Sequence, residues 1–141
     1  MIECTRRLEW DSAHRVLRHE SKCAHLHGHR YVAEITCRAD KLDDVGRVVD
    51  FGVVKDLVGS WIDREWDHGT LVNIEDAALW AWLDKHDQKR WSFAGEPTAE
   101  NIAAALLVVA RDLLDGDASG LRVVRVRIYE TPNCYAEVVA L

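Results

Sequence analysis

The period of the hydrophobic residues changes along the chain, and this change limits the possible fold more than any other feature of the sequence. In RYVAEITCRA (30–39), apolar residues alternate with polar ones, which places Tyr31, Ala33, Ile35 and Cys37 on one face. This alternation is typical of a strand with one buried face. Three further segments are predicted to be extended: 2–16, 121–130 and 135–141, the last two joined by a turn at TPNC.

The middle of the chain instead repeats its apolar residues at helical spacing. Residues 53–65 are predicted to form an amphipathic helix, with the apolar positions Val54, Leu57, Val58, Trp61 and Ile62. EDAALWAWLDKH (75–86) predicts a short helix with an acidic start. The clearest helix begins after the N-cap candidate Thr98 and ends before Gly116. Its apolar stripe consists of Ile102, Leu106, Val109 and Leu113.

The order of these elements indicates the fold class. Residues 41–46 form a turn, and RVVDF (47–51) is predicted to return as a strand. The resulting order of strands, helices and strands favours an α+β fold, with a mostly antiparallel sheet that carries helices on one face. The 141 residues are expected to form one domain.

Composition and charge exclude few function classes but set expectations for the cell compartment and the partners. The net charge of −6 argues against nucleic acid or an anionic membrane as a partner. The sequence has no apolar run of transmembrane length and no signal-peptide core at its start. Four scattered cysteines without a repeated pair pattern predict reduced thiols and a cytoplasmic protein.

The segment CAHLHGH (23–29) concentrates one thiol and three imidazoles. It could be a structural metal site, a catalytic metal site, a redox cysteine or an accident of loop composition. If a strand begins near residue 27, His27 and His29 point to the same face and can bind one metal ion. Zinc needs a third ligand, for which we choose His14 at the end of the first strand, and a catalytic zinc site keeps its fourth position open. His25 shares the parity of the pair and remains an alternative ligand.

The other candidate residues also have ordinary structural explanations. Cys23 is explained as a small buried side chain, and His19 and His86 as surface residues. Asp67 and His68 lie where a polar helix end is expected. Thr98 and Glu100 suit a helix start, and Glu130 suits the end of a strand.

Six motifs appear in a fixed order along nearly the whole chain: WDSAHR, CxxxHGH, VVDFGVVK, WDHGTLVN, PTAENIA and YETPNCYAEV. Together they resemble the superfamily of 6-pyruvoyl-tetrahydropterin synthases and 6-carboxytetrahydropterin synthases. The three-residue gap between Cys23 and His27 resembles the carboxytetrahydropterin branch, which serves queuosine and other deazapurine pathways.

The resemblance implies a tunnelling fold, in which several chains form a barrel, as a hexamer or a similar homo-oligomer, with active sites between subunits. It also implies a zinc ion held by His14, His27 and His29, with His25 outside the ligand set. Cys23 would be the catalytic proton acceptor.

The same resemblance assigns the residues around the substrate. Asp67 and His68 would assist Cys23 in catalysis, and we expect a neighbouring subunit to supply them. Glu130 would grip the pterin ring, and the helix start at Thr98 and Glu100 would lie near it. Arg15 is a candidate for the triphosphate by position only.

The reaction implied converts 7,8-dihydroneopterin triphosphate into 6-carboxytetrahydropterin, acetaldehyde and triphosphate, which makes the protein a lyase. The alternatives are a 6-pyruvoyl-tetrahydropterin synthase and a non-catalytic module that binds zinc or a pterin. The Trp-rich segment 74–96 is longer than in compact family members. We expect it to add a surface helix with Leu79, Trp82 and Leu83 packed inward, although it could instead line the pocket or a subunit contact.

Overall fold

Six strands form one mixed sheet in the computed structural model, which describes residues 1–116 and 119–141. The strands are β1 (Glu3–His14), β2 (His27–Arg38), β3 (Gly69–Asn73), β4 (Arg90–Phe93), β5 (Arg122–Thr131) and β6 (Cys134–Val139). Their order across the sheet is β4-β3-β1-β2-β5-β6. The ladders β1–β2, β2–β5 and β5–β6 are antiparallel, whereas β3 runs parallel to both β1 and β4. The predicted α+β class with a mostly antiparallel sheet is confirmed.

Helical turns lie between the strands. They are a 3₁₀ turn (Lys22–Ala24), α1 (Phe51–Val54), a π-helical turn (Lys55–Gly59), α2 (Ser60–Glu65), α3 (Ala77–Lys85) and α4 (Ala99–Leu114). None of the helices in residues 1–116 and 119–141 combines the length and the apolar character that a membrane span requires.

The segment from α1 to α2 is helical as predicted, but its buried face differs from the predicted one. Val54, Val58 and Ile62 are buried, whereas Leu57 is exposed. The π-helical turn adds a residue to one turn of the helix, so that the buried positions follow a spacing of four. The strand predicted at RVVDF is wrong, because the Asp50 carboxylate accepts a hydrogen bond from Gly52 N–H and starts α1 there.

Helix α4 begins where the sequence predicts. The Thr98 hydroxyl oxygen accepts a hydrogen bond from Asn101 N–H, and Gly116 follows the end of the helix with a φ of 104°. Ile102 and Leu106 are buried as expected, but the buried stripe continues through small and apolar residues at a spacing of four. Its members are Ile102, Leu106, Ala110 and Leu114 rather than Val109 and Leu113.

The main core lies between one face of the sheet and the helices α1, α2 and α4. The predicted inner face of β2 is confirmed, since Tyr31, Ala33, Ile35 and Cys37 are fully buried. Trp10 stacks on Tyr31 with ring centroids 5.2 Å apart.

The opposite face of the sheet is charged. Glu3 pairs with Arg38 and Arg125, and Arg127 pairs with Glu137. Apolar and aromatic side chains share this face on β5 and β6, since Tyr129 is paired with Tyr135 and the exposed Val139 is paired with Arg125.

The segment 74–96 contributes α3 and the edge strand β4. Leu71 belongs to the main core, but its neighbour Val72 packs with Leu79 and Leu83 in a separate cluster. Successive strand residues point to opposite faces, so α3 covers the other side of β3. Leu79 and Leu83 pack inward as predicted. Trp82 does not, since it is half exposed and lies against the ring of His86.

Candidate active site

The register of the β1–β2 hairpin brings three histidines together. His14, the last residue of β1, is paired with His27, the first residue of β2, and His29 follows two positions later on the same face. One ring nitrogen from each of the three lies within 4.8 Å of the other two. Among the described residues, this is the one group of three or more histidine, cysteine or acidic side chains arranged to hold a metal ion.

Backbone carbonyls fix the orientation of two of the rings. His14 Nδ1 lies 2.7 Å from the carbonyl oxygen of Pro97, and His27 Nδ1 lies 2.7 Å from that of His25. A carbonyl oxygen only accepts hydrogen bonds, so both Nδ1 atoms carry a hydrogen, and in the neutral form of each ring the lone pair lies on Nε2. His25 thus contributes its carbonyl oxygen to the site, while its side chain is exposed and lies outside the group of three.

The Nε2 atoms of the three histidines are placed to bind a cation. His14 Nε2 and His27 Nε2 are 3.2 Å apart, and the buried His29 Nε2 has no hydrogen-bond partner. Burial lowers the pKa of His14 to about 4, and the charge on its neighbours His27 and His29 acts in the same direction. Burial and then His27 also lower the pKa of His29. Neutral imidazoles with converging lone pairs are the ligands that zinc prefers.

A pocket of about 340 Å³ adjoins the histidine triad. Five residues predicted for the active site line it, together with exposed residues of β6. The predicted residues are His14, Cys23, Thr98, Glu100 and Glu130, and the β6 residues are Cys134 and Tyr135. Cys23 lies in the 3₁₀ turn, half buried, and its carbonyl oxygen accepts a hydrogen bond from Val16 N–H at 2.9 Å.

Glu130 reaches the pocket because β5 is irregular at this point. The pairing of β5 with β6 shifts between Tyr129 and Thr131, so Glu130 is the extra residue of a bulge. Its Oε1 lies 3.8 Å from His14 Nε2. Burial raises the pKa of Glu130, and the charge of Glu100 raises it further, although His27 opposes both.

Asp67 and His68 do not line this pocket in the described part of the chain. His68 instead lines a second cavity of about 510 Å³, whose wall also includes His29 of the triad and Lys89. The Asp67 carboxylate lies 2.9 Å from His68 Nδ1 and accepts a hydrogen bond from Asp11 N–H at 3.0 Å. Burial acts to raise the pKa of Asp67, but these two hydrogen bonds and nearby positive charge lower it overall.

Arg15, the candidate for the triphosphate, has its guanidinium paired with a carboxylate in this structure. Arg15 Nε and Nη2 each donate to one carboxylate oxygen of Asp76, both at 2.5 Å. Asp76 is almost fully buried and also caps α3 through Leu79 N–H. A buried carboxylate with a bidentate partner holds that partner in place, so Arg15 supports the structure here and its role towards the triphosphate stays a prediction.

Two residues of the site are absent from the sequence-based predictions. Pro97 orients His14 through a backbone carbonyl, a role that any residue type could perform and that leaves no signal in the sequence. Glu96 accepts backbone hydrogen bonds from the loop that carries Cys23. Its position directly before PTAENIA was the available signal.

Comparison with known proteins gives consistent matches over the whole chain. The model of the 6-pyruvoyl tetrahydropterin synthase family matches residues 3–140. The 6-carboxy-5,6,7,8-tetrahydropterin synthase of Rickettsia bellii is 42% identical over 98% of this chain and 100% of the relative.

Solved structures show the same fold at lower identity. An uncharacterised protein from Wolinella succinogenes superposes with a TM-score of 0.84 at 21% identity, covering 99% of this chain and 98% of the other. The 6-pyruvoyl tetrahydropterin synthase of Caenorhabditis elegans superposes with a TM-score of 0.73, also at 21% identity, over 99% of this chain and 96% of the other. The predicted tunnelling fold of the single chain is confirmed, whereas the assembly of several chains into a barrel stays a prediction.

Proposed function

Because the chain belongs to the 6-pyruvoyl tetrahydropterin synthase family, we propose that it is a zinc-dependent 6-carboxytetrahydropterin synthase formed by residues 1–141. The proposed substrates are 7,8-dihydroneopterin triphosphate and one water molecule, and the products are 6-carboxy-5,6,7,8-tetrahydropterin, acetaldehyde and triphosphate. The observation that carries this proposal is the pocket in which Cys23 and Glu130 accompany His14, one member of the histidine triad. The name of the Rickettsia bellii relative supports the carboxy product.

The triad of His14, His27 and His29 is proposed to hold the zinc ion. Bound zinc would supply a Lewis acid that makes nearby protons of the substrate side chain more acidic. The carbonyl oxygens of Pro97 and His25 keep two of the rings in the tautomer with a free Nε2. This support by backbone atoms fits a site that must stay in place during turnover.

Glu130 is proposed to bind the pterin ring and to act in catalysis. A carboxylate can accept two hydrogen bonds from the guanidine-like edge of a pterin. Its raised pKa, caused first by burial and then by Glu100, also suits a group that takes up and releases a proton. Thr98 and Glu100 are proposed to contact the substrate at the start of α4.

Cys23 is proposed as the catalytic proton acceptor. A thiolate near a cation and imidazoles is a suitable base, because neighbouring positive charge stabilises the thiolate form. Asp67 and His68 are proposed to complete the site of a neighbouring subunit in a homo-oligomer. Two facts support this: His68 is largely exposed with 78% of its side chain accessible, and it lines a different cavity from Cys23.

Product analysis tests the proposed reaction. The zinc-loaded protein, incubated with 7,8-dihydroneopterin triphosphate, is expected to release acetaldehyde and the 6-carboxy product in equal amounts, measured by liquid chromatography with mass spectrometry. A 6-pyruvoyl product without acetaldehyde would support the second enzyme, whose name the Caenorhabditis elegans structure carries. Binding without turnover by the zinc-loaded oligomer would indicate a non-catalytic module. Cys23→Ala is the matched inactive control.

Mixed oligomers test the shared site. The Cys23→Ala and His68→Ala proteins are each expected to be inactive. When they are unfolded together and reassembled, some interfaces receive both intact residues, and partial activity should return. If mixed oligomers form, as shown by native mass spectrometry, and remain as inactive as either parent, the two groups act within one chain.

A further inference from the structure

The loop between β1 and β2 carries Cys23 and has few internal constraints. It spans residues 15–26, and its regular structure is confined to the 3₁₀ turn Lys22–Ala24. The hydrogen bond from Val16 N–H to the carbonyl oxygen of Cys23 closes the loop near its base. The position of the Cys23 thiol therefore depends on what holds residues 16–18.

The carboxylate of Glu96 holds this part of the loop. Glu96 Oε2 accepts a hydrogen bond from Leu17 N–H at 2.8 Å, and Oε1 accepts one from Arg18 N–H at 3.0 Å. Hydrogen bonds to an ionised acceptor are stronger than those between neutral groups. A single side chain thus fixes two successive backbone amides of the Cys23 loop.

Glu96 is itself fixed, and its neighbours belong to the pocket. Its carbonyl oxygen accepts hydrogen bonds from Asn101 Nδ2 at 2.7 Å and from Thr98 N–H at 2.9 Å. The next residue, Pro97, orients His14, and Thr98 caps α4 and lines the pocket. The tripeptide 96–98 therefore connects the Cys23 loop, the histidine triad and the start of α4.

We propose that Glu96 is a positioning residue that holds the Cys23 thiol beside the histidine triad. The proposal rests on the catalytic role proposed above for Cys23. Loss of the two hydrogen bonds would free the backbone amides of residues 17 and 18, while the hydrogen bond between Val16 and Cys23 remains. The side-chain pairs of Arg15 with Asp76 and of Arg18 with Glu75 would also remain, but they do not hold these amides. The thiol would then sample positions away from the reacting atoms. Displacement of a reacting group by about 1 Å can slow turnover by about a hundredfold.

A second acidic residue contacts the same loop and provides a matched control. Glu75 forms an ion pair with the Arg18 side chain, and both side chains are more than half exposed. Exposed ion pairs of long side chains contribute little to structure. Glu75→Gln therefore removes an acidic partner of the loop without touching its backbone amides.

Glu96→Gln is the principal test. The amide keeps one acceptor oxygen but directs an N–H₂ group at a backbone N–H. We expect kcat to fall between about tenfold and a hundredfold, KM to stay within about twofold, and zinc content to stay unchanged. Glu75→Gln should leave kcat within about twofold. Glu96→Asp keeps the charge on a shorter side chain and should give an intermediate kcat. If Glu96→Gln does not fold, the kcat of Glu96→Asp decides the test.

Two measurements do not depend on activity, and they separate this inference from the proposed function. In Glu96→Gln, hydrogen exchange at the amides of Leu17 and Arg18 should accelerate. Alkylation of Cys23 by iodoacetamide, followed by peptide mapping, should accelerate several-fold. If the wild-type protein turns over no pterin but both changes appear, the proposed function fails and the positioning role stands. Unchanged alkylation of Cys23, or an equal loss of kcat in Glu75→Gln, would overturn the inference.

Discussion

Acidification of the zinc-free protein is expected to destabilise it through His14, well above the pH at which most carboxylates titrate. An unfolded histidine takes up a proton near pH 6.5, whereas burial holds the pKa of folded His14 at about 4. Between these values the unfolded chain binds a proton that the folded protein does not, so the free energy of unfolding falls as the pH falls. From pH 7 to pH 5 the two pKa values give a loss of about 2 kcal/mol.

Two other groups of the site, His29 and Glu130, also change how the free energy of unfolding depends on pH. Burial also lowers the pKa of His29, which adds a loss of the same sign. Burial raises the pKa of Glu130, so the folded protein takes up a proton there first and gains stability as the pH falls. The contribution of His14 is therefore measured as the difference between the wild type and His14→Ala in their loss of stability from pH 7 to pH 5. The pH dependence of the wild-type protein alone does not isolate it.

Urea unfolding in the presence of a chelator measures this difference. With a slope of roughly 2 kcal/mol per molar urea, the His14 contribution should shift the midpoint by about 1 M between pH 7 and pH 5. In His14→Ala that part of the shift should disappear, although the variant is less stable at both pH values. His86→Ala, at an exposed position, should keep the full shift. An unchanged shift in His14→Ala would refute the argument from burial.

Three further outcomes follow from the site. Cys23→Ala should keep its fold and its zinc but lose turnover by at least about a hundredfold, measured by steady-state kinetics; near-normal activity at full zinc loading would contradict its role as the base. Metal analysis should find about one zinc per chain in the wild type and in His25→Ala but little in His29→Ala, and equal zinc loss in both variants would mean that the ligand set is wrong. Lys89 Nζ donates to the backbone carbonyl oxygens of Asp63 and Asp67, at 2.8 and 2.6 Å, and so fixes the turn that carries Asp67 and His68. Lys89→Met should therefore lower Tm and reduce kcat about tenfold. Lys85→Met, on the exposed face of α3, should do neither.

Strand geometry accounts for most of the histidine triad, although parity left His25 as an alternative ligand that only the family resemblance excluded. The period of two places His27 and His29 on one face, and the apolar faces of β1 and β2 allow one register. A slip of one residue would turn Trp10 and Tyr31, both fully buried, towards the charged face of the sheet. The same register pairs His14 with His27. The pattern of core residues therefore specifies the histidine triad as well as the sheet.

The elements that escaped prediction are those whose structure depends on contacts distant in sequence. Strand β3 is buried on both faces and β4 has four residues, so neither shows a clear alternation. The half-exposed Trp82 lies beside Leu83, which turns inward, and its side chain packs on His86 instead. The partner of Arg15 is sixty-one residues away in the chain, at Asp76. Periodicity carries no information about such pairs.

The turn that holds Asp67 and His68 is more constrained than an exposed surface pair requires. His68 has a φ of 57°, a conformation that residues other than glycine rarely adopt, and its N–H donates to the carbonyl oxygen of Asp11 at 2.7 Å. The Asp67 carboxylate is fixed in turn by Asp11 N–H. Backbone conformations of this kind persist where the surrounding contacts impose them, and they are concentrated at functional sites. The imidazole held in this way faces solvent and not the Cys23 pocket of its own chain. Its fixed geometry is explained if the reacting atoms belong to a neighbouring subunit, which is the arrangement that the mixed oligomers test.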